Sequence, residues 1–206
     1  MTAVLELEPW GDGLARHCAA KLTRSISETD LVMDRSWFGQ IVRPAKGSVL
    51  ASPAASFAEG EPDYFFHWVR DSSTVMEAVR ILAGAEPSPN AWTARFNEFV
   101  QFSLDLGKID GKRFVEIVDF RTRTPPAFKQ YLRSNTDIAE VRGERVAGDV
   151  RYNADGTLDF ILWNRPQHDG PALRALVAMR FEEDSLAAED EAKQRLSELI
   201  GRDLRY

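Results

Sequence analysis

The chain has 206 residues, 44% hydrophobic against 28% charged; that is enough apolar material for a packed core and excludes a disordered or collagen-like chain. A formal net charge of -6, with no dense cluster of lysine and arginine, argues against a surface that tracks nucleic-acid phosphates. The opening Met1-Thr2-Ala3-Val4-Leu5-Glu6-Leu7-Glu8 lacks the regions of a secretory signal and no apolar run is long enough to span a membrane, so a soluble, cytoplasmic protein with neither nucleic-acid nor membrane partners is expected.

Cys18 is the only cysteine, which excludes an internal disulfide and reads as a small buried apolar group. His17, His67 and His168 lie too far apart in sequence for helical ligand spacing, so no metal and no cofactor are expected. Leu14, Cys18, Leu22 and Ile26 recur at four-residue steps and predict an amphipathic helix over about 13–26. From Gln40 to Pro62, Pro44, Gly47, Pro53, Gly60 and Pro62 break that pattern into loop, with Val49-Leu50-Ala51 as one short extended piece. A second helix opens at Asp71, an N-cap candidate, with Val75, Val79 and Leu82 on one face and a stop at Gly84.

Pro87-Ser88-Pro89-Asn90 punctuates the chain before a third helix, in which Trp92, Phe96, Phe99, Ser103 and Leu106 share one face and Gly107 ends the pattern. That aromatic stripe has the spacing that burial alone selects, so it reads as core. Over 108–148 the signals conflict. Phe114–Val118 fits a strand or a helical turn, and Thr124-Pro125-Pro126 fits the start of a short helix. Asn153-Ala154-Asp155-Gly156 marks a turn into an extended Leu158–Trp163 run. A helix then starts near Gly170 with Leu173, Leu176, Val177 and Phe181 as its apolar face, and a last one runs from Leu186 past Leu199. Because the Leu196-Leu199-Ile200-Leu204 periodicity meets no stop before Tyr206, the architecture is expected to continue in further polypeptide. The class is mainly α.

Two clusters place aromatics, arginine and aspartate together where packing does not require them. The first is Pro62-Asp63-Tyr64-Phe65-Phe66-His67-Trp68-Val69-Arg70-Asp71; the second is Trp163-Asn164-Arg165-Pro166-Gln167-His168-Asp169-Gly170-Pro171. A sugar ring offers apolar C–H faces and a rim of hydroxyls, so aromatic walls beside charged hydrogen-bonding groups suit it. From chemistry alone Arg70-Asp71 reads better as a solvated salt bridge at a helix start, with Asp71 as its cap, and Asp169 reads equally well as a helix cap.

Taken together, the clusters resemble the glycoside hydrolase family that contains glucoamylases, family 15, whose catalytic domains carry PDYFYxWxRDS and GRPQxDGPALRA segments. Gly47-Ser48-Val49-Leu50-Ala51-Ser52-Pro53 and Arg151-Tyr152-Asn153-Ala154-Asp155-Gly156-Thr157 extend the resemblance in the family's order, from about Gly47 to Arg180. It departs at Phe66, where tyrosine is usual, and at Asn164, where glycine is usual; 108–148 does not align.

The resemblance implies part of an (α/α)6 barrel, with residues 1–206 as the amino-terminal portion of one catalytic domain and no separate second domain. It implies exo-acting, inverting hydrolysis of α-glucosidic bonds at the non-reducing end of an α-glucan or gluco-oligosaccharide. Arg70 and Asp71 would hold hydroxyls of the terminal glucose, Tyr64 and Trp68 would shape the pocket, and Trp163 would stand beside the catalytic acid. The family's Trp-Glu-Glu-type acid segment is not found here, and Glu182-Glu183-Asp184 comes too soon and looks like a solvated face. The acid and base are therefore expected in the carboxy-terminal part of the same enzyme, as a continuation or a companion chain. The alternative is a non-catalytic glucan-binding or regulatory homologue that lacks the carboxylates.

Overall fold

The computed structural model describes residues 2–54, 63–85, 89–187 and 189–206; Gly60, Pro62, Pro87 and Ser88, which the sequence marks as breaks, lie outside them. Among the described residues no helix is long and apolar enough to cross a membrane.

Four long helices make the body of the fold: α2 (Val69–Ala85), α3 (Asn90–Leu106), α7 (Asp169–Glu183) and α8 (Asp190–Arg205). Each sequence-adjacent pair is an antiparallel hairpin, and the two hairpins pack side by side, α2 on α7 and α3 on α8. At one end Gly170 sits against Val69; at the other Arg80 pairs with Asp184 and Arg180 with Glu77. Thus α2 and α7 run parallel, with both N-termini at the same end. This is the repeating unit of a double ring of helices, and the chain forms part of an (α/α)6 barrel.

The third predicted helix holds as read. Trp92, Phe96, Phe99, Ser103 and Leu106 are all buried, Phe96 stacks on Phe181 with centroids 3.7 Å apart, and Gly107 follows the last turn. The last helix is present too, but starts at Asp190. The apolar face assigned to α7 needs correcting: Val177 and Phe181 are buried, whereas Leu173 and Leu176 remain 37% and 38% exposed. Because α7 is flanked by both α2 and α8, its covered surface spreads around Gly170, Pro171, Arg174, Ala175 and Ala178, and no single stripe describes it.

The first helix, α1 (Thr2–Thr23), ends before Ile26, which instead bridges to Val49 and confirms the extended piece there. Leu14 and Cys18 are exposed, so Cys18 is not the buried group expected. A short hairpin of β1 (Met33–Arg35) and β2 (Gln40–Val42) follows. Gly47, at φ +86°, is required where the loop crosses α3, since a Cβ there would lie 2.1 Å from the Glu98 carbonyl oxygen.

Asp71 does not cap α2: the helix begins two residues earlier, at Val69, and Asp71 lies in its first turn. Residues 107–168 are an excursion between the hairpins. In it Phe114 belongs to a short helix, α4 (Gly111–Ile117), and Pro126 opens a 3-10 turn, which resolves the conflicting signals toward helix. α5 (Phe120–Arg123) and α6 (Asn135–Ala139) complete this segment.

Candidate sugar-binding surface

In the first cluster Asp63, Tyr64 and Phe65 are irregular, and from Phe66 the chain is a strand running into a helix. β3 (Phe66–Trp68) pairs antiparallel with β4 (Arg151–Asn153), setting Phe66 opposite Asn153, His67 opposite Tyr152 and Trp68 opposite Arg151. Alternation along the strands then sorts the side chains. His67 and Tyr152 face the core, where the His67 ring meets Phe102 edge-on at 4.9 Å. Phe66 and Trp68 share the other face with Arg151 and with Trp163, which arrives from the second cluster.

Tyr64, Trp68 and Trp163 form one aromatic wall. Tyr64 and Trp68 have centroids 5.7 Å apart, and Trp163 meets Trp68 edge-to-face at 5.6 Å. Trp68 is buried, while Tyr64 and Trp163 are 45% and 41% exposed, so the wall has open rings on a fixed base. Directly after Trp68 the chain enters α2 at Val69, and Arg70 and Asp71 emerge in its first turn.

Arg70 lies between two carboxylates, with Nε 3.4 Å from Asp71 and Nη1 3.6 Å from Asp169, the first residue of α7. These spacings allow attraction across half-exposed side chains but leave guanidinium N–H groups unsaturated. The Asp71 Oδ2 is shielded from solvent yet accepts no hydrogen bond. The rest of the Asp71 carboxylate is open, on a side chain 42% exposed, and with the guanidinium fork beside it makes an acceptor and donor pair that matches the rim of a polyol. Asp169 makes no capping hydrogen bond in α7, so its place beside Arg70 is the contact that the structure assigns it.

Beneath the wall runs a buried ionic network that sequence reasoning missed. Asp159 accepts from Arg151 Nε at 2.7 Å and from Arg165 Nη2 at 2.6 Å, and Arg165 also bonds Asp149. Asp149 in turn accepts from Arg133 at 2.9 Å. Burial pushes the Asp159 carboxyl up, but Arg151 and Arg165 outweigh it and hold it below the ordinary carboxylate value. Arg35, on the other side of Phe66, bonds Asp63, Asn153 and the Phe65 carbonyl. Phe66 is thereby sandwiched between two guanidiniums, Arg35 at 3.8 Å and Arg151 at 4.0 Å, a place that uses the ring face and gives no role to a hydroxyl. The available signal was Arg151 alternating with Asn153 in a strand bounded by a turn.

Beside the second cluster, a cavity of about 390 Å³ is lined by Arg133, Asp149, Arg165, Pro166 and His168. A smaller one, of about 250 Å³, is lined by Ser103, Tyr152, Arg174, Arg202 and Asp203, between α3, α7 and α8. In its polar lining Arg174 is bonded to Asp203 and Arg202 to the Leu104 carbonyl, whereas the Ser103 hydroxyl has no partner. Among the described residues no group of three or more His, Cys, Asp or Glu side chains is placed to hold a metal ion.

Comparison with known proteins agrees with this fold. Residues 37–105 match the family model Glycosyl hydrolases family 15. Glucoamylase GLU1 of Saccharomycopsis fibuligera is 24% identical over 155 residues, 71% of this chain and 23% of that protein. An intracellular sporulation-specific glucoamylase of Saccharomyces cerevisiae is 29% identical over 139 residues, 66% of this chain and 19% of its own length. The solved structure of Hormoconis resinae glucoamylase superimposes with a TM-score of 0.56 at 23% identity, covering 93% of this chain and 28% of that one. The chain thus spans less than a third of the length of each of these proteins. By family model, relatives and fold together, the chain is similar to part of a glucoamylase-type domain of glycosyl hydrolases family 15.

Proposed function

We propose that these residues supply the glucose-holding wall of an inverting exo-α-glucosidase acting at the non-reducing end of α-glucans or gluco-oligosaccharides. The observation that carries the reading is the convergence, at the shared N-terminal end of α2 and α7, of an aromatic wall (Tyr64, Trp68, Trp163) with the half-exposed Arg70 and Asp71. The rings cover the C–H face of the terminal sugar, while Arg70 donates to its hydroxyls and Asp71 accepts from them.

Inversion requires a protonated carboxyl at the leaving oxygen and a carboxylate that activates water, about 6.5–9.5 Å apart. Asp71 and Asp169 flank Arg70, a placement that suits all three to hold hydroxyls. We assign both catalytic carboxyls to polypeptide beyond these 206 residues, the present chain being the amino-terminal portion of one catalytic domain.

Proton NMR of maltose hydrolysis by the complete protein tests the reading. The first-formed glucose is expected to be the β-anomer, and Asp71→Asn is expected to abolish most of its release. First-formed α-glucose would overturn the inverting assignment. Binding of acarbose with no sugar released by the complete protein would make it the non-catalytic homologue.

A further inference from the structure

Trp163 is the half-exposed member of the wall, and it lies on an irregular segment with no helix or strand to fix its ring. What touches its face is Arg151. The guanidinium carbon is 4.4 Å from the Trp163 ring centroid, 4.9 Å from Trp68 and 4.0 Å from Phe66, so one buried cation contacts three aromatic faces. Its own position is set twice, by the strand register opposite Trp68 and by Asp159 at 2.7 Å. Asp159 is fully buried, and Arg165 ties the same carboxylate to the Trp163 segment through the Ile161 carbonyl at 3.2 Å. Cation and anchor are thus held from both ends of the chain reversal at Asn153–Gly156.

We propose that Arg151 is a positioning residue for the sugar site: its guanidinium, anchored on Asp159, holds the Trp163 and Trp68 indoles in their edge-to-face arrangement and so sets the width of the slot a sugar ring enters. The attraction between a desolvated cation and a ring face is strong at this separation and falls off as the ring tilts away. Trp163 therefore rests in one orientation before substrate arrives, and little ordering is left to be done on binding. Arg151 acts through the rings and makes no contact with sugar itself. This inference rests on the proposed sugar-binding role of the wall.

The complete protein tests it with two readouts. The pair of indoles 5.6 Å apart gives an exciton signal in circular dichroism, identified as the difference between wild type and Trp163→Phe. Arg151→Met removes the charge while keeping the stem, and is expected to abolish that signal with the helical spectrum retained. Acarbose affinity, read by tryptophan fluorescence, should fall about tenfold. Arg151→Lys keeps a cation on Asp159 and should restore most of both. Should Arg151→Met fail to fold, Arg151→Gln, which can still donate to Asp159, replaces it with the same expectations.

An exciton signal and an affinity at wild-type level in the folded neutral variant would overturn the proposal, as would a lysine variant no better than the neutral one. If wild type binds no acarbose while the signal still depends on Arg151, the sugar-binding reading fails and the ring-positioning role stands.

Discussion

Arg70 and Asp71 were named from sequence as groups that either hold sugar hydroxyls or pair as a solvated salt bridge, and the geometry leaves room for both. Their 3.4 Å spacing is too long to saturate either partner, and Asp71 caps nothing. Asp71→Asn should therefore leave the thermal midpoint within a few degrees of wild type. It should lower kcat/KM for maltose by about one to two orders of magnitude, the worth of a charged hydrogen bond of about 1.5–3 kcal/mol. Steady-state kinetics on the complete protein check this; an unchanged rate removes Asp71 from the site.

His67 makes the second residue-scale prediction. Its Nδ1 accepts the Val49 N–H at 3.0 Å, and burial lowers its pKa from 6.5 to about 3. Between those values the unfolded chain binds a proton that the folded chain refuses, so stability rises with pH. On acidification below 6.5 the fold should lose up to about 1.4 kcal/mol per pH unit from this group, down to about pH 3. Asp159, held below its ordinary value, adds loss in the same direction as pH falls through the carboxylate range. Urea midpoints across pH 4–7 should show a shallower slope for His67→Gln than for wild type; equal slopes would refute the assignment.

At the element scale the second hairpin is joined to itself by a buried ion pair. Arg174 on α7 meets Asp203 on α8 through two hydrogen bonds of 2.8 and 2.6 Å, both side chains buried. Removing one partner strands the other charge, so Asp203→Ala should cost about 3–5 kcal/mol in urea unfolding, whereas Arg174→Met with Asp203→Leu should return close to wild type. A double variant as weak as the single one would contradict this.

The elements also explain what was legible. α3 could be read because a single buried stripe runs its length, from Trp92 to Leu106. The extent of α7's buried surface could not, because it is covered on two sides and its Arg174 carries a buried charge that a hydropathy pattern counts as exposed. The β3–β4 pairing was hidden because its partners lie more than eighty residues apart in three-residue strands, with no periodicity long enough to see. The wall residues were found through resemblance. The ionic base beneath them, Arg133, Asp149, Asp159 and Arg165, depends on contacts that no local pattern encodes.

At the scale of the molecule, two parallel hairpins bring the N-termini of α2 and α7 together, and close packing makes this possible. Gly170 lets α7 approach α2, since a Cβ there would lie 3.1 Å from that of Val69. Gly170→Val should force the helices apart and separate Arg70 from Asp169, weakening acarbose binding and stability together. The central claim is that residues 64–71 and 163–169 form one sugar-holding surface. A crystal structure of the complete protein with acarbose tests it most directly. The account predicts the non-reducing-end ring against Trp68 and Trp163, with a hydroxyl within about 3.2 Å of Asp71 and another within that distance of Arg70. An acarbose molecule seated in the active site with neither residue in contact would contradict it.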